Sequence, residues 1–79
     1  MTKADILNII IENSRYVLPT LEAHDFDKDD ELVKLGANSI DRIEIVAMTL
    51  SELSLRIPLV DTITAKNIGQ LADLLHDKY

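Results

Sequence analysis

Apolar residues recur at the 3.6-residue period of an α-helix in three stretches of this chain, and no stretch alternates with the period of two that a half-buried strand needs. In the first stretch the face is Ile6, Ile9, Ile10, Val17 and Leu18. In the second it is Ile43, Val46, Ala47, Leu50 and Leu53, and in the third Ile68, Leu71, Ala72 and Leu75. This pattern confines the chain to helices packed on helices. Its 79 residues make a single domain, 1–79, near the size below which disulfides or metals are usually needed. The chain has no cysteine, so no disulfide helps and nothing marks an oxidising compartment. Aromatic side chains are only Tyr16, Phe26 and Tyr79, so the core must be built of Leu, Ile and Val. The expected fold class is all-α, a bundle of three to four helices with a long loop between the first and second.

Capping residues place the boundaries. Thr2 and Asp5 have the spacing of a capping box, with Asp in place of Glu, so the first helix starts after Thr2. Pro19 stops it near Leu18. Residues 19–37 read as a loop holding Pro19, Gly36 and six of the 14 acids: Glu22, Asp25, Asp27, Asp29, Asp30 and Glu31. A connection this long in so small a domain is functional or well anchored. Leu21, Phe26, Leu32 and Leu35 are the expected anchors, with one helical turn around Asp30 to Lys34. Asn38 is the expected N-cap of the second helix, with Asp41 at its third position, and the helix ends at Leu53 or Ser54. A short turn is expected around Val60 to Ile63. The last helix is expected to start from Thr64 as N-cap, with Ile63 and Ile68 as a hydrophobic staple. Gly69, inside that helix, reads as a point of close packing.

A net charge of −6, from 14 acids against 8 bases, opposes nucleic acid and anionic membrane as partners and favours proteins with basic docking surfaces. The run Ile6 to Ile11 is broken by Asn8 and preceded by Asp5, unlike a secretory signal, and no span is long enough to cross a membrane. A cytoplasmic monomer is the expectation. Asp25, Asp27 and Asp29 imitate the start of a calcium loop, but Asp30 stands where its glycine belongs and Gly36 where its bidentate Glu belongs. A solvated acidic loop is the better reading, with no metal site. His24 and His76 lack ligand spacing and are expected at the surface. Arg15, Arg56 and Lys66 are expected as solvated charges.

The stretch Leu35-Gly36-Ala37-Asn38-Ser39-Ile40-Asp41-Arg42-Ile43-Glu44 sets one serine where the long loop ends and a helix begins. No His or Lys is positioned by the sequence to activate Ser39, so a hydrolase triad is unsupported. A hydroxyl at a helix N-terminus is well placed to carry a phosphate, because free N–H groups and the helix dipole favour negative charge there. Ser39 therefore reads as an attachment point rather than a nucleophile. On the helical wheel Asp41, Glu44, Ile45, Met48 and Glu52 lie away from the apolar stripe. An apolar pair framed by acids is the expected partner surface; the alternative is that Ile45 packs under the loop and only Met48 is exposed.

The run L-G-A-N-S-I-D-R-I-E-I-V resembles the L-G-x-D-S-L-x-x-x-E-[LI]-V motif of acyl carrier proteins. The resemblance extends over nearly the whole chain, including the acidic loop, Ile57-Pro58 and the last helix. It implies that Ser39 bears 4′-phosphopantetheine, transferred from coenzyme A by a Mg²⁺-dependent phosphopantetheinyl transferase. Ile40 takes the place of the family's Leu and Glu44 matches its acidic residue. The arm ends in a thiol, which supplies the sulfur this chain lacks, and partner enzymes supply the catalysis.

Three departures stand out. Asn38 replaces the usual Asp, Leu50 and Ser51 stand where fatty-acid carriers often have acids, and Arg42 adds a positive charge beside the arm. N-S-I-D-R followed by a hydrophobic face is similar to the discrete donor carriers of polyketide beta-branching cassettes. Those present acetyl, made from malonyl by decarboxylation, to an enzyme resembling 3-hydroxy-3-methylglutaryl (HMG) synthase. That likeness implies an acyltransferase, a ketosynthase-like decarboxylase and an HMG-synthase-like enzyme as partners. The expected partner-docking residues are Asn38, Ile40, Asp41, Arg42, Glu44, Ile45 and Met48. The alternatives are a fatty-acid carrier and a small acidic interaction module with no prosthetic group. An enzyme in its own right would need a clustered pair of titrating groups, which the sequence does not offer.

Overall fold

The computed structural model describes every residue from Met1 to Tyr79. Helix α1 spans Lys3–Val17 and opens with the box its spacing predicts. The Thr2 hydroxyl accepts from the Asp5 N–H at 3.1 Å, and the Asp5 carboxylate accepts from the Thr2 N–H at 3.0 Å. The Thr2 backbone bond, then its hydroxyl, hold the Asp5 carboxyl below its ordinary value. Pro19 begins a short 3-10 turn, Pro19–Leu21, and two more follow at Leu32–Leu35 and Leu59–Thr62. Helix α2 spans Ser39–Glu52 and α3 spans Ile68–Lys78. No helix is long and apolar enough to cross a membrane.

Both α2 and α3 pack on α1. The core joins Ile6 and Ile10 of α1, Ile45, Leu50 and Leu53 around α2, and Ile68, Leu71, Ala72 and Leu75 of α3. The long loop is pinned as its leucines predict: Leu21 and Leu32 are buried, and Phe26 and Leu35 pack against the core. Its helical turn lies at Leu32–Leu35, slightly later than expected.

The face of α2 that meets α1 differs from the one periodicity selects. Ile45 is fully buried (0% exposed), whereas Ile43 is 53% exposed and Ala47 is also exposed. The reason is polar. Thr49 is fully buried, donates its hydroxyl hydrogen to the Ile45 carbonyl at 2.8 Å and accepts from the Asn13 amide of α1 at 3.0 Å. Ser14 is also buried and donates to the Ile10 carbonyl at 2.7 Å. These groups enter the core at little cost because each is hydrogen-bonded. An apolar count therefore assigns Thr49 to the surface and rotates the helix wrongly. The helix closes with Ser54 in the left-handed conformation (φ 54°), while Leu55 N–H bonds the Leu50 carbonyl at 3.0 Å.

The start of α3 also differs. Its N-cap is Asn67, whose side chain accepts from Gln70 N–H at 2.7 Å, and not Thr64. Ile63 is 74% exposed, and Ile68 is the first helical residue, so the two form no staple. The start is set by the long loop. The Asp30 carbonyl accepts from Ile68 N–H at 3.0 Å and the Lys28 carbonyl accepts from Gly69 N–H at 2.7 Å. Two N–H groups that a helix start leaves unbonded are thereby satisfied by backbone from elsewhere. A Cβ on residue 69 would lie 2.7 Å from the Lys28 oxygen, so only glycine allows the approach.

Two basic residues in the loop region are more engaged than their sequence setting suggests. Arg15 is half-buried, donates to Glu12 at 2.8 Å and to the His24 carbonyl at 3.1 Å, and lies 5.2 Å from the centre of the Phe26 ring. His24 is half-buried too, edge-on to Phe26, with Nε2 2.9 Å from the Asp30 carboxylate. Asp30 also accepts from Asp27 N–H at 2.9 Å. That bond, then the His24 contact, lower the Asp30 carboxyl from its ordinary value. Asp25, Asp27 and Asp29 do not gather into a metal-holding cluster with any neighbour.

Two expectations follow. Gly69→Ala should destabilise the protein by about 1–3 kcal/mol, read as a lower urea midpoint, because the clash is with backbone. Asp30 has a lowered folded pKa, so the stability it adds is whole above about pH 4 and is lost as the pH falls through that lowered value. Asp30→Asn should therefore be less stable than wild type at pH 6, and the gap should narrow below about pH 4 in thermal melts.

Candidate functional site

Ser39 is held at a fixed point by the residues on either side of it. Gly36 takes φ 100°, which a Cβ would strain, and turns the chain out of the Leu32–Leu35 turn. Ala37 N–H then bonds the Leu32 carbonyl at 3.0 Å and its methyl group is buried. Asn38 is extended and caps α2: its side chain accepts from Asp41 N–H at 2.8 Å, and the Asp41 carboxylate accepts from Asn38 N–H at 3.1 Å. The expected box is formed with Asn in the capping position, and Asp41 is the only acid of the first turn.

Ser39 is thus the first residue of α2 and is exposed. The cap occupies the third N–H of the helix, leaving those of Ser39 and Ile40 without an intrahelical partner. His24, one of the two histidines, is bound to Asp30 in the loop. His76 lies in the last turn of α3.

A cleft of about 620 Å³ opens beside this serine, between α2 and α3. Ser39, Arg42, Ile43 and Val46 line it from α2, Leu59, Val60 and Ile63 from the third 3-10 turn and its end, and Ile68 and Leu71 from α3. Among the apolar residues lining it, Val33, Ile43, Val60 (63% exposed) and Ile63 are exposed, and Ile40, next to Ser39 in the chain, is exposed as well.

The seven expected docking positions separate. Asn38, Ile40 and Glu44 are exposed, and Asp41, Arg42 and Met48 are half-buried. Ile45 belongs to the core and cannot meet a partner, and Met48, which the alternative reading left exposed, is half-buried, so neither reading of this face holds as stated. Ile43, Val60 and Ile63 present the apolar surface instead. The signal for them was a surplus: α2 carries Ile40, Ile43, Ile45, Val46 and Met48, more apolar side chains than one buried stripe can use.

An all-helical bundle that sets an exposed serine at the head of its second helix, above an apolar cleft, is the architecture of a carrier domain. Residues 5–75 match the family model described as the phosphopantetheine attachment site. The chain belongs to that family: it is an acyl carrier protein, and its prosthetic group is 4′-phosphopantetheine. It is 49% identical over 78 residues to the polyketide biosynthesis acyl-carrier-protein AcpK of Bacillus subtilis (strain 168), covering 99% of this chain and 95% of that protein. Among solved structures it is similar to a chain in the crystal structure of the curacin biosynthetic pathway HMG synthase in complex with acetyl donor-ACP. That match has a TM-score of 0.95 at 44% identity over 99% of this chain and 100% of the other.

The Asn38 cap can be checked directly. Asn38→Ala should cost about 1 kcal/mol, seen as a fall in melting temperature of about 4–8 °C, whereas Asn38→Asp should leave stability near wild type.

Proposed function

We propose that this acyl carrier protein bears its 4′-phosphopantetheine on Ser39 and holds acetyl for an HMG-synthase-like enzyme in polyketide biosynthesis. The observation that carries the reading is the exposed hydroxyl at the first position of α2, at the mouth of the apolar cleft. The residues fit the group. The hydroxyl can bear a phosphodiester, the unbonded N–H groups of Ser39 and Ile40 face its charge, and the cleft offers the arm an apolar wall. When bound, the group supplies a thiol that the sequence does not encode, on which an acyl chain is carried as a thioester.

The likeness to relatives named for polyketide biosynthesis and for acetyl donation to HMG synthase supports the pathway and the cargo. The surface supports them too. Ile43, Val60 and Ile63 line the cleft beside Ser39 and are exposed, so docking there rests on apolar contact more than on charge. Catalysis belongs to the partners: a phosphopantetheinyl transferase that installs the arm from coenzyme A, an acyltransferase and ketosynthase-like decarboxylase that supply acetyl, and the HMG-synthase-like enzyme that takes it. His24, one of the two histidines, pairs with Asp30 in the loop, which supports Ser39 as an attachment point rather than a nucleophile. The cytoplasm, where coenzyme A is available, is the proposed location, with the chain acting as a monomer.

Incubation with a broad-specificity phosphopantetheinyl transferase and coenzyme A, read by intact mass, should add one phosphopantetheine to wild type and none to Ser39→Ala. An unmodified wild type would leave a helical interaction module with no arm. On the acetylated protein, Ile43→Ser should slow acetyl transfer to an HMG-synthase-type enzyme about tenfold while leaving the melting temperature nearly unchanged. Equal rates would place docking elsewhere.

A further inference from the structure

Arg42 is a cation without an anion. It lines the cleft together with Ser39 and is half-buried against its wall. None of the chain's ion pairs includes it, although the chain carries six more negative charges than positive. The acids close to it in sequence or in the cleft are occupied or turned away. Asp41 holds the Asn38 N–H, and Glu31, on the same cleft, pairs with Lys34 at 2.9 Å. Glu44 is two residues further along the helix, a spacing that points side chains apart.

The position of Arg42 relative to Ser39 is fixed by helix geometry. Residues three apart are neighbours on the surface, with Cβ atoms about 5–6 Å from each other. Side chains on a helix lean toward its N-terminus. Arg42 therefore leans back over the first turn of α2, where the serine oxygen and the unbonded N–H groups of Ser39 and Ile40 lie. Its partial burial reduces the conformations it must give up on binding, and its planar fork suits two oxygens of one phosphate.

From this we infer that Arg42 is the positioning residue for the arm. It binds the phosphodiester oxygens on Ser39 together with the head of α2, and so directs the arm out of the cleft side of the helix, past Ile43. The inference rests on Ser39 as the attachment point. It also gives a structural sense to the neutral Asn38. With no carboxylate at the cap, the guanidinium and the helix dipole face the phosphate with less competing negative charge.

The test compares the unmodified and phosphopantetheinylated forms of wild type, Arg42→Ala, Arg42→Lys and Arg56→Ala. Arg56→Ala makes the same charge change just beyond the far end of α2. Intact mass first reports whether Ser39 carries the arm; if wild type gains none, the attachment reading fails and this inference falls with it. In modified wild type, the Arg42 side-chain N–H should exchange more slowly with solvent than in the unmodified protein, read by nitrogen-edited NMR. The phosphorus resonance should move with added salt as the pair is screened.

Arg42→Ala should shift that resonance and remove its salt dependence. It should also reduce the gain in melting temperature on modification by about 1–5 °C, with Arg42→Lys between and Arg56→Ala like wild type. Unchanged Arg42 N–H exchange on modification of wild type overturns the inference even if a variant resists the transferase. So does a phosphorus signal in Arg42→Ala that matches wild type. An Arg42→Ala variant altered only in its transfer of acetyl to a partner enzyme would make Arg42 a docking contact instead.

Discussion

Two backbone hydrogen bonds, from the Lys28 and Asp30 carbonyls to the Gly69 and Ile68 N–H groups, decide how this molecule is put together. Three short helices around a small aliphatic core leave little to hold a long acidic connection in place. The bonds solve that problem and another at once, because they fix the loop and satisfy donors that the start of α3 would otherwise leave open. Gly69 makes the approach possible, since any side chain would meet the Lys28 oxygen. With the loop fixed, Glu31, Leu32 and Val33 form one wall of the cleft and Asn67 and Ile68 another. The cleft beside Ser39 is thus a consequence of the junction.

Within that frame α2 serves two surfaces. One is buried against α1 and is locked by the Asn13–Thr49 bond, which fixes the rotation of the helix as well as its packing. The other carries Ser39, Arg42, Ile43 and Val46 along the cleft. Because both α2 and α3 rest on α1, the space between them is left partly open, and apolar side chains are exposed there that a tighter bundle would bury. Exposed apolar surface of this kind is costly to keep unless another molecule uses it. An acyl carrier protein that docks as proposed above has a use for it.

Arg15, Phe26, His24 and Asp30 give the acidic loop an internal order of its own. Asp27 and Asp30 accept from backbone N–H groups and Asp30 also meets His24, so the loop is a folded strap whose Asp25, Asp27 and Asp29 still face solvent. The strap delivers the chain through Gly36 and Ala37 into the cap of α2, so the placement of Ser39 depends on it as much as on the helix.

The sequence by itself determined the helices, their caps at Thr2 and Asn38, the apolar anchors of the loop, and the serine at the head of α2. All of these are local: they depend on neighbours within a turn or two, and on periodicity that a single segment displays. What only the tertiary structure decided is which side of α2 is core, where α3 begins, and which apolar residues remain outside. Thr49 became buried because Asn13, thirty-six residues away, supplied its hydrogen bond, and Asn67 prevailed over Thr64 because loop carbonyls met the following N–H groups. Ile45 and Ile43 are chemically the same side chain on the same helix. Only the position of α1 assigns one to the core and the other to the cleft, and a pattern of apolar residues carries no information about which neighbour will come to cover it.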